Sequence, residues 1–335
     1  MSTKEATSHI HEFNQNDLVK SASILREFVD GTPSSWDNFV KAAAEPASAI
    51  KISNGIASYV SMKMREEMFT DIVLPPVKVL PNELIPMQDE DKVYFMVERD
   101  DTETEAYWTP FEAGSVGEIN PTSRRLPIPM EKIKIKTIRK EKTDLYAYKM
   151  DLMSLIDKAI FDAIRAVVDS GFLTIAGQII SQHSENAVTL SGGTLEKQHI
   201  VALKKKMADF RIDPIPSNVP KAEDSTPACL LFNRSRFYDV ENWDPDSVGD
   251  DITKELFING YSWPTFMGLR FAKSFDAPKD KIWLFGPPKY LGVNAILDDL
   301  TVTVRVEADT LIIDAWMVRG LGIVNTKPVI EGTLT

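Results

Sequence analysis

Few side chains in this sequence are equipped for chemistry, and they are scattered. The nitrogen and sulfur ligands are His9, His11, His183, His199 and the single cysteine, Cys229. His9 and His11 have the HxH spacing that can chelate a metal. No cysteine cluster lies near them, so no metal site is expected there. Asp244, Asp246, Asp250 and Asp251 crowd together without the glycine and glutamate register of a calcium loop. Asp100, Asp101, Glu103 and Glu105 are equally crowded, but general acid–base work needs a desolvated cleft, and nothing predicts one around them. GxGxxG, GxxxxGK[ST], GxSxG and HExxH are all absent. His183 and His199 flank a loop containing serine and glycine and read as exposed polar residues. Cys229, inside Ala-Cys-Leu-Leu-Phe, reads as a small buried hydrophobe. No catalytic residue, cofactor-binding residue or metal ligand is assigned, and no cofactor is implied. Ser123-Arg124-Arg125 is the more informative group. Two arginines at the far end of an extended segment suit bidentate pairing with a neighbour's carboxylates.

The composition limits the function classes. The chain has 335 residues, 43% of them hydrophobic, and a net charge of −11. That charge argues against a protein whose main task is gripping nucleic-acid phosphates. One cysteine rules out an intrachain disulfide and fits an intracellular folding compartment. No apolar stretch reaches the roughly 18–20 residues of a membrane span. The polar start, MSTKEATSHIHEF, lacks an apolar signal core. The expectation is a soluble, cytoplasmic chain.

The elements organise around Asp151 to Ile180, the longest helical pattern. Leu152, Leu155, Ile156, Ala159, Ile160, Ala163, Ile164, Val167 and Val168 form its apolar stripe. Asp151, Lys158, Asp162, Arg165 and Asp169 share the other face, where Lys158 can pair with Asp162 and Arg165 with Asp169. Gly171 and Gly177 predict an end or a bend near Gly171. Residues 1–66 read as a poorly packed arm. It would hold short helices at Asn16–Phe28 and, capped by Ser35, at Trp36–Ala44. The stretch Ala47–Met64 has too few large apolar residues to build a core alone and is expected to lie on something else, such as a neighbouring subunit. Strands are predicted at Val77–Leu80 and Val93–Val97. Glu98–Met130 carries acidic residues interleaved with Tyr107, Trp108 and Phe111, too long and polar to stay within a compact domain. In the return strand, Glu131–Lys149, Ile133 and Ile135 alternate with Lys132, Lys134 and Lys136. One acidic and one basic arm suit a long β-hairpin that pairs internally or docks on another subunit.

The remainder reads as a compact α/β segment followed by long strands. A helix is predicted at Thr194–Asp209 with Thr194 as its cap, a loop at Arg211–Thr226 and a buried strand at Ala228–Phe232. A capped helix at Asn233–Trp243 precedes an acidic loop at Asp244–Asp251. Strands follow at Leu269–Phe271 and Lys281–Phe285. Tyr290–Ile330 is nearly all strand, with Val302 and Val304 alternating with Thr301, Thr303 and Arg305 and a turn at Glu307–Thr310.

Leu300 to Thr335, LTVTVRVEADTLIIDAWMVRGLGIVNTKPVIEGTLT, resembles the closing pattern of tailed-phage major capsid proteins of the Hong Kong 97 type. That pattern is a strand, an acidic turn, an apolar strand and a final short strand ending in glycine-threonine. KIWLFGPPKYLGV, Lys281 to Val293, resembles the strand pair before it. The resemblance covers the chain from about Met62 onward and lies in the order of parts.

It implies an α+β fold of the Hong Kong 97 type. Residues 1–66 would be the N-terminal arm, 67–97 the start of the peripheral domain and 98–140 the extended β-hairpin loop. Residues 141–193 would be the peripheral domain with its spine helix, 194–289 the axial domain, 290–320 the long peripheral strands and 321–335 a strand returning to the axial domain. It further implies a non-enzymatic, self-assembling subunit of pentamers and hexamers in an icosahedral virion. The shell would be built in the host cytoplasm and would enclose double-stranded DNA without specific binding. Inter-subunit contacts are expected at Tyr107, Trp108, Arg124, Arg125, Lys132, Lys134 and Lys136. A portal, a separate scaffold and a decoration protein are the other implied partners, and no membrane is involved. Asp100–Leu126 contains no lysine, so non-covalent locking is expected in place of loop-tip crosslinking. The alternatives are an encapsulin-like compartment, an α+β enzyme using Asp244 and Asp246, and a DNA-binding module using Lys132–Lys142.

Overall fold

A computed structural model describes residues 33–86, 93–100, 123–144, 152–210, 227–243, 265–266 and 268–335. The helices are α1 (Pro33–Ala44), α2 (Pro46–Glu67), α3 (Phe69–Val73), α4 (Leu152–Ile156), α5 (Asp162–Gln182), α6 (Lys197–Ala208), α7 (Phe237–Glu241) and α8 (Pro288–Leu291). A π-helical turn, Asp157–Phe161, joins α4 to α5. The strands are β1 (Pro76–Lys78), β2 (Leu84–Pro86), β3 (Val93–Asp100), β4 (Ser123–Lys134), β5 (Ile138–Glu141), β6 (Ala187–Leu190) and β7 (Cys229–Asn233). They continue as β8 (Thr265–Phe266), β9 (Leu269–Ser274), β10 (Lys281–Phe285), β11 (Gly292–Glu307), β12 (Thr310–Ile323) and β13 (Val329–Leu334). The expected helix at Asn16–Phe28 and the segments 211–226 and 244–251 lie outside the described residues.

The chain divides into two compact units. The first holds the described residues within Met1–Asn82, Met130–Phe172 and Asn294–Gly320. Its strands run β1-β11-β12-β4, with β5 also on β12. β1 lies parallel to β11, and β4 and β5 lie antiparallel to β12. Strict alternation on β11 buries Val302 and Val304 and exposes Thr301, Thr303 and Arg305, as the sequence pattern requires. The turn after β11 puts Ala308 at φ 53°, a left-handed conformation uncommon for a residue with a Cβ.

The buried sheet face carries Ile135, Val302, Val304, Leu311, Ile313, Ala315 and Met317. It shares one core with Trp36, Phe39, Ile52, Ile56, Val60 and Met64 of α1 and α2, and with Ile156, Ile160, Phe161 and Ile164 of the spine. Here the structure departs from the sequence reading. Pro33–Glu67 is not a poorly packed arm, and Ala47–Met64 does not await a neighbour. Four fully buried side chains on α2, each contributing about 1.5–3 kcal/mol, are enough to seat that helix on its own sheet. α1 also begins at Pro33, two residues ahead of the serine expected to cap it.

The spine departs from expectation too. It passes Gly171 and runs on to Gln182. The π-turn adds a residue and shifts the phase of the stripe. Val167 is therefore 55% exposed, while Asp169, expected on the charged face, is 2% exposed. Asp162 pairs with Arg165 at 3.2 Å, not with Lys158, and Asp169 does not take Arg165 as its ion-pair partner. Tyr59 and Lys63 of α2 hold Asp157 at the π-turn, at 3.2 and 2.8 Å.

Two buried polar groups hold this unit together. Arg319 of β12 donates from Nη2 to Asp71 of α3 and from Nε to Asn294 of β11 at 2.6 Å. Asn294 donates to Asp71 at 3.1 Å and to the Leu74 carbonyl at 2.8 Å. Asp169 accepts from the Thr70 hydroxyl at 2.7 Å and the Thr70 amide at 3.3 Å. Burial is the main force on the Asp169 carboxyl and pushes its pKa up to about 6, against the two Thr70 hydrogen bonds. Asp71 adds to the rise and Arg165 opposes it.

The second unit holds the described residues within Glu83–Pro129, Leu173–Val293 and Leu321–Thr335. Its sheet runs β6-β13-β10-β7-β9-β8. β13 is parallel to β6 and β7 to β9, and the other pairs are antiparallel. One face packs Leu230, Phe232, Phe271, Ile282, Leu284 and Ile330 against Ile200, Leu203 and Met207 of α6. A Cβ on Gly332 would stand 2.6 Å from Leu190 Cδ1 and 3.0 Å from Leu203 Cδ2, so a larger residue there requires those side chains to shift. Cys229 is buried, and burial pushes its thiol up to about 12. α6 is capped by Glu196, not Thr194. Nδ1 of His199 accepts from the Glu196 amide at 3.1 Å, which leaves Nε2 as the protonated nitrogen facing the Ser191 carbonyl at 2.9 Å. His199 is therefore a buried capping residue, contrary to its expected exposure. In a separate part of this unit, β2 pairs with β3, and residues 123–129 of β4 bring Ile128 against Val97 and Val324.

Two outcomes are expected. Arg319→Met strands the buried Asp71 carboxylate and should cost about 3–5 kcal/mol in urea unfolding. Asp169 holds its proton to about pH 6 when folded, against 3.8 for the ordinary carboxyl, so its contribution to stability falls as pH rises from about 4 to 6. Asp169→Asn should remove up to about 3 kcal/mol of that fall. The stability difference between variant and parent should widen across this range and level off above it; a difference independent of pH would contradict the assignment.

Candidate assembly surface

The extended segment expected to reach a neighbour is visible here at its base. β3 and β4 are its two arms. Tyr107 and Trp108 lie outside the described residues. Arg124 and Arg125 are exposed on β4. Arg125 Nε meets Glu98 of β3 at 2.8 Å, a pair across the segment's own arms. Acidic and basic arms do pair at this point, but both side chains are more than half exposed, and such pairs contribute at most about 1 kcal/mol.

The basic run of the return strand is split. β4 ends at Lys134 and β5 begins at Ile138, where one continuous strand to Lys149 is expected from the pattern; between them the Ile135 amide still donates to the Ala315 carbonyl at 3.0 Å. Lys132, Lys134 and Lys136 are all exposed, while Ile133 is half-buried and Ile135 buried. Register places Lys134 opposite Trp316 and Lys132 opposite Val318. Lys132 Nζ stands 5.2 Å over the Trp316 ring. Thr137 donates to Asp314, and Arg305 Nη2 lies 3.8 Å from the same carboxylate. The first unit thus presents a basic sheet face with one half-buried tryptophan. The three lysines are brought together as expected. The sequence reading missed Trp316 and Asp314. The signal was there: in Ile313-Asp314-Ala315-Trp316-Met317, a period of two sends Asp314 and Trp316 outward.

Among the described residues the other sequence candidates do not assemble into a site. His183 faces Glu185 at 3.2 Å on a partly exposed turn. His9, His11, Asp244, Asp246, Asp250 and Asp251 lie outside the described residues. Among the described residues no group of three or more histidine, cysteine, aspartate or glutamate side chains could hold a metal. No described helix is long and apolar enough to cross a membrane.

No family model and no curated protein matches this sequence. Solved structures do. The chain is similar to the capsid of the cyanophage P-SCSP1u, at 11% identity and a TM-score of 0.51, over 80% of this chain and 88% of that one. It is similar to the capsid of the cyanophage Pam1, at 8% identity and a TM-score of 0.51, over 72% and 84%. A virus-like particle from Pyrococcus furiosus aligns at 15% identity and a TM-score of 0.47, over 83% and 96%. The two cyanophage capsids carry the argument. The chain has a phage capsid-protein fold, α+β, of the Hong Kong 97 type that its sequence resembles.

Lys134→Ala and Lys136→Ala should each change stability by no more than about 0.5 kcal/mol, as exposed substitutions do. Lys132→Ala should cost up to about 1 kcal/mol through its lost contact with Trp316. Urea unfolding checks this, and a loss above about 2 kcal/mol would make these lysines part of the chain's own fold.

Proposed function

We propose that this chain is a structural major capsid protein of a tailed phage. It self-assembles into pentamers and hexamers of an icosahedral head that encloses double-stranded DNA, within a virion assembled in the host cytoplasm. The observation that carries this reading is the fold shared with two cyanophage capsids over most of each chain. A net charge of −11 supports it, because DNA packed inside must slide along its container, not adhere to it. The basic face at Lys132, Lys134 and Lys136 then serves contact between subunits, as do Tyr107, Trp108, Arg124 and Arg125. The first unit reads as the peripheral domain and the six-stranded sheet of the second as the axial domain. A portal, a scaffold and a decoration protein are the partners this role calls for.

Negative-stain electron microscopy with light scattering on the purified chain, alone and with its scaffold, tests the reading. Shells or ring-shaped capsomers are expected. Deleting Asp101 to Arg125 should leave a folded protein that no longer closes shells. Normal shells from the deletion would remove the hairpin from assembly, and a monomer under every condition would overturn the capsid reading.

A further inference from the structure

The second unit carries an aromatic and cationic platform at the carboxyl ends of the parallel strands β7 and β9. Phe275 is 63% exposed and Tyr238 64% exposed, the most exposed large hydrophobic side chains of the described residues. The exposed Arg234 guanidinium stands 4.7 Å over the Phe275 ring. Arg234 and Tyr238 are four residues apart in a helical run, with Arg236 and Phe237 between them in the right-handed region, so both side chains share one side.

The backbone beneath is pinned. Asn233 accepts from the Ser235 amide at 3.0 Å and donates to the Phe275 carbonyl at 3.3 Å and to the Ala277 carbonyl. Ser274 accepts from the Asp276 amide at 3.1 Å. Arg236 Nε donates to the Lys279 carbonyl at 2.7 Å. Exposed arginine, tyrosine and phenylalanine on a held backbone are the side-chain types that dominate interface energies, and little ordering entropy is lost when they bind. Solvent exposure of two aromatics this size has no role in the fold itself.

We infer that this platform docks the acidic stretch Asp244–Asp251 of a second copy of the chain, a reading that rests on the proposed capsid function. Charge complementarity fits the occupant: four carboxylates and no base in eight residues meet an arginine already stacked on a ring. Position supports it. Trp243 Nε1 donates to the Leu195 carbonyl at 2.8 Å, which anchors the chain at the point where the acidic stretch begins, one helix away from the platform. A platform on one copy that takes a different segment of the next copy can repeat head to tail around a ring, which is the heterologous contact a closed capsomer requires. Asp276 and Asp280 on the platform's own loop are exposed and repel the same stretch, so it is held in one register on Arg234.

Charge reversal in the full chain tests this. Arg234→Glu alone, and Asp244→Lys with Asp246→Lys alone, should each lower the assembled fraction at least tenfold by mass photometry while circular dichroism stays native. Combining the changes in one chain should restore assembly, and mixing the two variants should restore six-membered rings, in which they alternate, because each pairing is again opposite in charge. A fluorescent peptide of residues 242–251 should bind the parent chain and bind Arg234→Glu at least tenfold more weakly. Variants that assemble like the parent, or a mixture that fails to recover, would overturn the inference. So would an unchanged oligomer with a lowered melting temperature, which would put the stretch on its own chain's platform. If the parent chain never assembles, the capsid reading fails, and peptide binding alone then decides for or against the platform.

Discussion

The first unit depends on a buried positive charge and what meets it. Arg319 sits inside the sheet core on β12 and is neutralised by Asp71, with Asn294 bridging the two. Three chain segments far apart in sequence are tied at one point: the end of α3, the start of β11 and the end of β12. A charge in that environment is tolerated only if its partners are in place. Any register slip of β11 against β12 would strand it, so the network acts as a register pin more than as a source of net stability.

The spine helix shows how one extra residue redistributes function along a surface. A regular helix would have placed Val167 in the core and Asp169 in water. The π-turn rotates the following segment, so Asp169 reaches Thr70 and joins α5 to α3. Phe172 meets Phe69 edge-on at 5.8 Å one turn later. The cost is a carboxyl that resists ionisation where it lies and an exposed valine on the outer side.

In the proposed shell role the working parts are surfaces, and surfaces are what the core leaves over. In the first unit, β-alternation divides the sheet between a packed face and a basic face carrying Trp316. In the second, α6 covers one side of its sheet, and the ends of β7 and β9 project Arg234, Tyr238 and Phe275. Lys132, Lys134, Lys136 and Arg234 on these surfaces are all exposed. The chemistry on offer is stacking and ion pairing, which suits contacts made and remade in large numbers.

Much of the architecture was legible from residue order because it rests on local periodicity. Alternation of two marked β11 and the basic face of β4; alternation near 3.6 marked the spine and α6; Asn233 announced its own turn. What only tertiary structure decided were the matters in which a distant segment competes with a local preference. Trp36, Phe39, Ile52 and Ile56 looked too sparse to form a core, because the sheet that completes it comes more than two hundred residues later. Gly171 looked like a helix end, but packing of Phe172 carries the helix through. His199 looked like a surface residue until the backbone of its own cap and the Ser191 carbonyl claimed both ring nitrogens. Thr194 had the right side chain for a cap, but the chain turns two residues later, at Glu196. Local pattern fixes which face of an element is apolar; the distant partner that covers it sets where the element ends and which polar groups go inside.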